Sequence, residues 1–299
     1  MPRLTDIWRV GIVAAPLREI ATGGLGNHSI QWLSVASGFT FLADPFGLWR
    51  DGVLHMFVEV FDYRDRHGHI DVLRFDHGLR MLDRRTCLRE AWHLSYPYVF
   101  EAGGEVWMLP EAHRSGGLHL YRATEFPFGW ERAATIALDG IAVDATPVFH
   151  DGLWWLFYAV AGSKLDKISR LHLAFAERLS GPWHCHPLNP VRIDRTSARP
   201  GGTPVLIDGR LGAPMQDCSK TYGGAIRMLW IEQLSPDAFR AAAGTEIRPR
   251  ADFGAFDDGL HTLSGAGDCT LIDAKRIDRS WSGMAIDLRR IVGRAFTAR

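Results

Sequence analysis

Apolar runs that lead into and out of a glycine-centred turn recur along the chain, and this pattern predicts β-strands. The glycines are Gly52, Gly104, Gly152 and Gly209, at spacings of 52, 48 and 57 residues. An apolar run, a tight turn such as Asp-Gly and a second apolar run are typical of a β-hairpin. Strand repeats with a period near fifty residues predict the blades of a β-propeller.

The length of 299 residues accommodates five such units in a single domain. We expect an all-β, five-bladed propeller of four-stranded antiparallel blades around a central channel. The segment 1–40 contains the apolar string WRVGIVAAP and is expected to close the ring by pairing with the last blade. The expected blades lie at about 41–90, 91–140, 141–190, 191–245 and 246–299.

One short helix is predicted at 235–244, in the string SPDAFRAAAG. Ser235 is a suitable N-cap, Pro236 suits the first turn, and Gly244 lies beyond the predicted end. Helical signals elsewhere are weak, so the predicted fold class stays all-β.

Residues at equivalent positions of the repeat are candidates for a shared site. The positions eight residues before the glycines hold Asp44, Tyr96, Asp144 and Gly201. The positions seven residues after the glycines hold Glu59, Glu111, Ala159 and Gln216. Equivalent positions stand at the same height around a propeller axis, so we expect Asp44 and Asp144 to face each other near the channel. Two carboxylates brought together are costly, which favours a functional role for them.

Composition narrows the classes of partner. Lys plus Arg equal Asp plus Glu at 34 each, so no overall field attracts nucleic acid or an acidic membrane surface. The four cysteines are scattered without metal-ligand spacing, and the chain has no glycine-rich phosphate loop. We therefore predict no metal, no cofactor and no nucleic-acid partner. The eleven tryptophans are either core residues or platforms for sugar rings.

The N-terminus bears no secretory signal pattern, and no apolar run approaches the roughly 18 residues of a membrane span. These features lead us to expect a cytoplasmic protein without a transmembrane segment. Peripheral contact with a membrane-borne substrate is compatible with that expectation.

An ordered set of short motifs resembles a known group of sugar-active propellers. The set reads ADPF, SYPYVF, LPE, VDATPVF, GPW, HPLNPV, SARP, QDCS and DGLH, and the likeness extends over residues 40–275. It resembles the five-bladed propellers of family 43 glycoside hydrolases. More closely, it resembles the propeller that is N-terminal in plant glucosamine inositolphosphorylceramide transferases and that also occurs alone in bacteria.

The resemblance implies roles for the two aspartates. In the hydrolases, a first-blade aspartate is the general base, a third-blade aspartate tunes and orients, and a later glutamate is the acid. By position, Asp44 matches the base and Asp144 the tuning residue. Where the fourth-blade glutamate is expected, the chain reads TSARPGGTP, with Arg199 and no carboxylate. This departure puts ordinary hydrolysis in doubt, because the leaving oxygen lacks its usual proton donor.

An activated donor removes the need for an acid. A phosphate departs as a stable anion, so a transferase needs a base for the acceptor hydroxyl and cationic groups for the phosphate. Asp44 as base and Arg199, whose planar fork binds phosphate oxygens in pairs, meet those needs. The sequence therefore leans towards glycosyl transfer from a phosphate-linked sugar, with family 43 type hydrolysis as the alternative.

Several further side chains are candidate site residues. Glu111, in MLPEAH, is the rival candidate for a catalytic acid, with a structural pairing as the alternative. Glu59 and Gln216 hold the same repeat position in other blades and are candidates for substrate contact. Asp217 either contacts the substrate or caps the turn in MQDCSKTYGG.

Three more residues lie near the predicted blade starts. Tyr96 shares the rim position of the two aspartates and is a candidate sugar contact. His93, in AWHLSYP, and His261, in DGLHTL, either contact the substrate or satisfy a turn or the core. The aspartates have a structural alternative too, because Asp before Pro or before Ala-Thr-Pro can end a loop by bonding local amides.

Three classes of function stay open on the sequence. The first is an enzyme acting at an anomeric carbon, with a carbohydrate, sugar phosphate or glycolipid as its substrate. The second is a non-catalytic carbohydrate-binding propeller, which the missing fourth-blade glutamate supports. The third is an interaction platform unrelated to sugars, against which the acidic rim and the balanced charge argue.

Overall fold

A computed structural model describes residues 4–33 and 40–280, which form five antiparallel sheets in a ring. This architecture confirms the predicted five-bladed β-propeller. The chain starts with β1 (Thr5–Val13), α1 (Leu17–Gly23) and β2 (Ile30–Trp32). Blade I follows, with β3 (Thr40–Arg50), β4 (Val53–Asp62), β5 (His67–Phe75) and β6 (Met81–Leu88). Blade II consists of β7 (Ser95–Ala102), β8 (Glu105–Glu111), β9 (Leu118–Glu125) and β10 (Gly129–Ile136).

The remaining blades carry short additional elements. Blade III contains β11 (Ala142–His150), β12 (Leu153–Val160), α2 (Lys164–Ser169), β13 (Arg170–Ala176), β14 (His184–Cys185) and β15 (Arg192–Ile193). Blade IV contains β16 (Arg199–Pro200), β17 (Val205–Ile207), β18 (Arg210–Asp217), β19 (Ala225–Ser235) and β20 (Ala238–Ile247). Two 3-10 turns, His113–Ser115 and Ala251–Phe256, follow β8 and β20. None of the helices in the described ranges is long and apolar enough to cross a membrane.

Blade V combines strands from the N-terminal and C-terminal parts of the described residues. Its inner strands are β21 (Leu263–Ala266) and β22 (Cys269–Asp278), and its strand order is β2-β1-β22-β21. Strand β1 pairs with β22 from Thr5 opposite Asp278 to Val13 opposite Thr270. The N-terminal segment thus covers the strand edge that an open ring would leave exposed. The part of the expected fifth blade at 281–299 lies outside the described residues.

The predicted helix at 235–244 is wrong. Ser235 ends β19, and β20 returns antiparallel from Ala238, so that only two residues form the connecting turn. Ser235 Oγ donates to Asp237 Oδ1 at 2.7 Å within that turn. The alanines that favour a helix by propensity instead pair with β19, because each inner strand of a blade needs a partner for its backbone N–H and C=O groups.

Apolar side chains of neighbouring blades pack together and hold the inner strands in place. Between blades I and II, Phe46 and Phe57 pack with Tyr96 and Tyr98 in one buried cluster. The rings of Phe46 and Tyr96 meet edge to face, with centroids 4.7 Å apart. Burial of this kind stabilises by about 25 cal/mol per Å² of apolar surface and positions the first strand of each blade at the channel.

Candidate functional site

The first strands of blades I, II and III each contain a β-bulge near the channel. In each bulge, a candidate residue lies outside the regular strand pairing. In blades I, II and III, residues 44–45, 96–97 and 144–145 each face a single residue of the next strand. Asp44, Tyr96 and Asp144 occupy these bulges at φ values of 50°, 45° and 51°. A left-handed backbone costs a non-glycine residue about 1–2 kcal/mol, and such strain concentrates at functional sites.

The bulged residues are linked to one another across blades. The Tyr96 amide donates to Asp44 Oδ2 at 3.0 Å, and the Tyr96 hydroxyl lies 2.9 Å from Thr146 Oγ1. The Gly202 amide of blade IV donates to the same hydroxyl at 2.9 Å. Asp44 and Asp144 therefore lie in one buried cluster, with the buried Tyr96 between their blades.

Asp44 lies where blades I, II and V meet. Besides the Tyr96 amide, its Oδ1 accepts from Thr262 Oγ1 at 3.1 Å and lies 3.5 Å from His261 Nε2. Burial raises the pKa of Asp44 to about 6; His261 opposes the rise, and the carboxylates of Asp144 and Asp273 add to it. Asp44 therefore changes protonation close to neutral pH.

Asp273 is a site residue that sequence reasoning missed. Its Oδ1 accepts from the amides of His261 and Thr262 at 3.0 and 3.1 Å. Its Oδ2 accepts from the Asp44 amide at 3.1 Å and lies 2.6 Å from His261 Nδ1. The available signal was an aspartate inside the apolar strand CTLIDAKR, at a position that is apolar in the other blades.

His261 is held between two carboxylates and an aromatic ring. Its ring stacks on Trp8 with centroids 3.7 Å apart and an interplanar angle of 11°. Burial alone lowers the pKa of His261, but Asp273 and Asp44 outweigh it and leave the pKa raised. Asp273 fixes Nδ1, so that Nε2 faces Asp44.

The ligand atoms of Asp44, His261 and Asp273 lie within 4.8 Å of one another, a spacing that would suit a cation. A carboxylate offers about four lone-pair sites, and four N–H groups already occupy those of Asp273. Hydrogen bonding among these residues accounts for the cluster, so the three side chains are not a preformed ligand set.

Asp144 is paired with blade IV. Its Oδ2 accepts from Arg199 Nε at 2.7 Å and from Gln216 Nε2 at 2.8 Å, and these two partners face each other in the β16–β18 ladder. Burial raises the pKa of Asp144, and Arg199 works against that rise. Burial lowers the pKa of Arg199, but Asp144 more than offsets this and raises it.

Tyr222 is a second residue that sequence reasoning missed. Its side chain is partly exposed, at 37%, and Arg199 Cζ lies 4.9 Å from its ring centroid. The Tyr222 ring also meets His261 edge to face, with centroids 5.4 Å apart. An exposed aromatic ring beside a carboxylate cluster is suited to packing against a sugar ring.

Glu59 lies near the end of the second strand of blade I and Glu111 ends that of blade II, and both are buried. Glu111 Oε1 accepts from the His113 amide at 2.9 Å and lies 2.5 Å from His113 Nδ1. Burial opposes ionisation, but the contacts with His113 outweigh it and lower the pKa of Glu111 to about 2. Burial, followed by the charges of Asp44 and Glu111, raises the pKa of Glu59 well above its usual range.

The last two candidates lie in different surroundings. His93 is partly buried beside Glu59, with Nε2 3.6 Å from Glu59 Oε1, and burial lowers the pKa of His93 to about 4. Asp217 Oδ1 instead accepts from the Ser219 amide at 2.9 Å, and its Oδ2 lies 3.2 Å from Arg227. Asp217 caps the turn after β18 and is not part of the cluster. The predicted residues that the structure brings together are Asp44, Glu59, His93, Tyr96, Glu111, Asp144, Arg199, Gln216 and His261.

Comparison with known proteins identifies the family. Residues 21–253 match the family described as glucosamine inositolphosphorylceramide transferase 1, N-terminal. The chain belongs to this family. The match ends before His261 and Asp273, so the blade V part of the cluster lies beyond the matched residues.

Two plant members of the family are similar at the level of sequence. The glucosamine inositolphosphorylceramide transferase 1 of Oryza sativa subsp. indica is 37% identical over 232 residues, which are 76% of this chain and 30% of that protein. The Arabidopsis thaliana transferase is 37% identical over 204 residues, which are 67% of this chain and 26% of that protein. The chain thus spans less than a third of the length of these relatives.

Solved structures share the fold at low sequence identity. An alpha-L-arabinofuranosidase from Podospora anserina superposes with a TM-score of 0.60 at 11% identity, covering 90% of this chain and 97% of that one. A family 117 glycoside hydrolase from Zobellia galactanivorans superposes with a TM-score of 0.57 at 12% identity, covering 83% and 89%. At these identities the likeness concerns the propeller fold.

Proposed function

We propose that this propeller binds a carbohydrate at the channel mouth and catalyses substitution at its anomeric carbon, with Asp44 as the general base. One observation carries the proposal. Asp44 is a buried carboxylate with a pKa of about 6, oriented by donors from two neighbouring blades. A base whose pKa lies near the working pH is the kind that proton transfer requires.

The relatives and the fold neighbours support sugar chemistry. The plant relatives are named glucosamine inositolphosphorylceramide transferase 1, and fold neighbours are named as glycoside hydrolases and as an alpha-L-arabinofuranosidase. In our proposal Asp44 takes a proton from the acceptor hydroxyl, whose oxygen then attacks the anomeric carbon. Asp144, Gln216 and Arg199 form the opposite wall, and Tyr222 supports the sugar ring.

The identity of the leaving group separates two versions of the proposal. In the first, a phosphate-linked sugar is the donor and Arg199 contacts its phosphate. Arg199 Nε is already bonded to Asp144 and one terminal nitrogen lies 3.3 Å from the Lys167 carbonyl, so a phosphate would meet the remaining N–H groups. In the second, water or an alcohol displaces an ordinary glycoside, which requires a proton donor.

Turnover by the Asp44→Asn variant tests the base assignment. The substrates are a panel of nucleotide sugars and of aryl and methyl glycosides, with detection of free sugar or a new glycoside. We expect the substitution to lower turnover by about 10²–10⁴-fold, because the acceptor then keeps its proton. Asp151→Asn is a matched control, since Asp151 has a φ of 49° but is an exposed turn residue with 82% of its side chain accessible.

Three results would count against the proposal. Turnover by Asp44→Asn within a few-fold of the parent would show that another group is the base. Absence of turnover on every sugar, with glycan binding that survives Asp44→Asn, would identify a carbohydrate-binding propeller instead. Absence of both turnover and glycan binding would favour an interaction platform.

A further inference from the structure

We propose that Glu59 is the proton donor to the leaving oxygen, and that the domain therefore acts on glycosides with an ordinary alcohol leaving group. This inference rests on the proposed function and specifies its substrate class. Glu59 lies opposite Ala43 in the β3–β4 ladder, next to the bulge that carries Asp44. The two carboxyl groups belong to adjacent strands of one blade at the channel mouth.

The carboxyl group of Glu59 has no hydrogen-bond partner within the described residues, although 9% of its side chain is exposed. The basic group beside it is His93, whose Nε2 lies 3.6 Å from Glu59 Oε1, beyond hydrogen-bond distance. A buried carboxylate without donors is strongly disfavoured, whereas a neutral carboxyl group is tolerated. An uncommitted acidic proton at a channel mouth is available to a ligand.

The charges that surround Glu59 also favour its protonated form. Asp44, Glu111, Asp144 and Asp273 all act on it with the same sign, and each raises its pKa. The basic group that faces it, His93, is neutral near pH 7 because burial lowers the pKa of His93 to about 4. Burial and these neighbouring charges therefore favour the protonated form of Glu59 more strongly than in an ordinary glutamate.

The neighbouring carboxyl groups are less suited to this role. Glu111 is held ionised by His113, with a pKa of about 2, and has no proton to donate at neutral pH. Asp144 is committed to Arg199 and Gln216 through one oxygen. Asp273 accepts from backbone amides and from His261. Within the cluster, the surroundings of Glu59 favour its protonated form and supply no hydrogen-bond partner from the described residues.

The proposed step balances in protons and electrons. Asp44 removes the proton from water or an acceptor hydroxyl, and the resulting oxygen forms a bond to the anomeric carbon. The bond from that carbon to the leaving oxygen breaks, and its electron pair goes to the oxygen, which takes the proton of Glu59. Asp44 ends protonated and Glu59 ionised, and exchange with solvent restores both.

The proposal also accounts for the missing fourth-blade acid. The fourth-blade string TSARPGGTP lacks the expected glutamate, and Glu59 of blade I would donate the proton in its place. The excess of carboxyl groups around the channel disfavours a phosphate-linked donor, because like charges repel at short range. The expected substrates are therefore glycosides whose leaving group carries no charge.

Leaving-group dependence tests the role of Glu59. We expect Glu59→Gln to lower kcat/KM on methyl glycosides by about 10²–10⁴-fold, because an alkoxide leaves poorly without a proton. On 2,4-dinitrophenyl glycosides, whose leaving group is stable as an anion, we expect a change of less than about five-fold. Asp44→Asn lowers both. Equal losses on both substrates for Glu59→Gln, or no loss on either, would overturn the inference and leave the proposed function intact.

Infrared spectroscopy tests the proton directly and needs no substrate. At neutral pH the parent protein should show a carbonyl band of a protonated carboxyl group that Glu59→Gln removes. Glu125→Gln serves as a control, since Glu125 is an exposed residue of blade II. Absence of the band from the folded parent protein would overturn the inference even if sugar turnover is found. If the band is present and no glycoside is turned over, the proposed function fails, and the assignment of Glu59 as a proton donor fails with it.

Discussion

Blades I and II present equivalent glutamates whose pKa values shift in opposite directions. Glu59 and Glu111 occupy equivalent positions in the second strands of their blades, and both are buried. The pKa of Glu111 falls to about 2, whereas that of Glu59 rises well above its usual range. The repeat thus determines where a carboxyl group lies, but the segment that follows the strand determines its charge.

The following segments differ in the donors that they supply. After β8 the chain enters the 3-10 turn at His113–Ser115, which directs both an amide and an imidazole towards Glu111. Strand β4 instead continues three residues beyond Glu59, to Asp62, and supplies no donor to its carboxyl group among the described residues. A carboxylate that accepts such bonds is stabilised as an ion, and one that lacks them retains its proton.

The largest expected effect comes from removing the charge of Glu111. The decrease of its pKa from 4.5 to about 2 corresponds to about 3 kcal/mol of stability. Because the folded-state pKa is lowered, this contribution is present above pH 4.5 and is lost as the pH falls towards 2. We expect Glu111→Gln to reduce the free energy of unfolding by about that amount at pH 7, measured by urea denaturation.

The deficit of Glu111→Gln should shrink as the pH falls through the same window. Glu125→Gln, an exposed substitution in the same blade, should leave stability within about 0.5 kcal/mol of the parent. A deficit that stays constant from pH 7 to below 4.5 would mean that the side chain stabilises by packing and that the His113 contact does not ionise it.

For Glu59→Gln we expect a smaller change in the free energy of unfolding, with the opposite dependence on pH. The folded-state pKa of Glu59 is raised, so the folded protein holds a proton that the unfolded chain releases near pH 4.5. Its contribution to stability is full below that pH and declines as the pH rises through the folded-state value. The amide variant lacks this decline, so its stability relative to the parent should increase with pH.

Near pH 4.5 the Glu59→Gln variant should lie within about 1 kcal/mol of the parent, because glutamine closely matches the protonated acid in shape. Chemical denaturation across the pH range provides the measurement. A loss of stability that grows with pH would indicate an ionised Glu59 and would remove the contrast between the two blades.

The repeat spacing was sufficient to bring together the main members of the cluster. Asp44 and Asp144 share one position of the repeat, and Glu59 and Gln216 share another. The rotational symmetry of the propeller brings equivalent positions together at one channel mouth. Asp273 could not be found in this way, because the equivalent residues of blades I, II and III are Phe57, Leu109 and Phe157.

The repeat spacing also could not predict which side chains of different blades would pair. The bond between Arg199 and Asp144 joins blade IV to blade III. It depends on how far the side chains reach between blades, which the repeat period does not encode. The helix expected at 235–244 failed for a related reason. Local propensity favoured it, but β19 offered a long-range pairing that a single sequence does not reveal.

The smallest expected effect comes from replacing His93. It tests whether Glu59 is neutral because the neighbouring His93 carries no charge. His93 meets Phe61 edge to face with centroids 5.6 Å apart, and its buried Nδ1 has no hydrogen-bond partner among residues 4–33 and 40–280. Because burial lowers its pKa to about 4, His93 contributes no charge at pH 7. His93→Phe keeps the aromatic contact, so it should change stability by less than about 1 kcal/mol and leave the infrared band of Glu59 in place. If the parent lacks that band and His93→Phe restores it, a charged His93 has been pairing with an ionised Glu59, and the two blades carry the same ion pair after all.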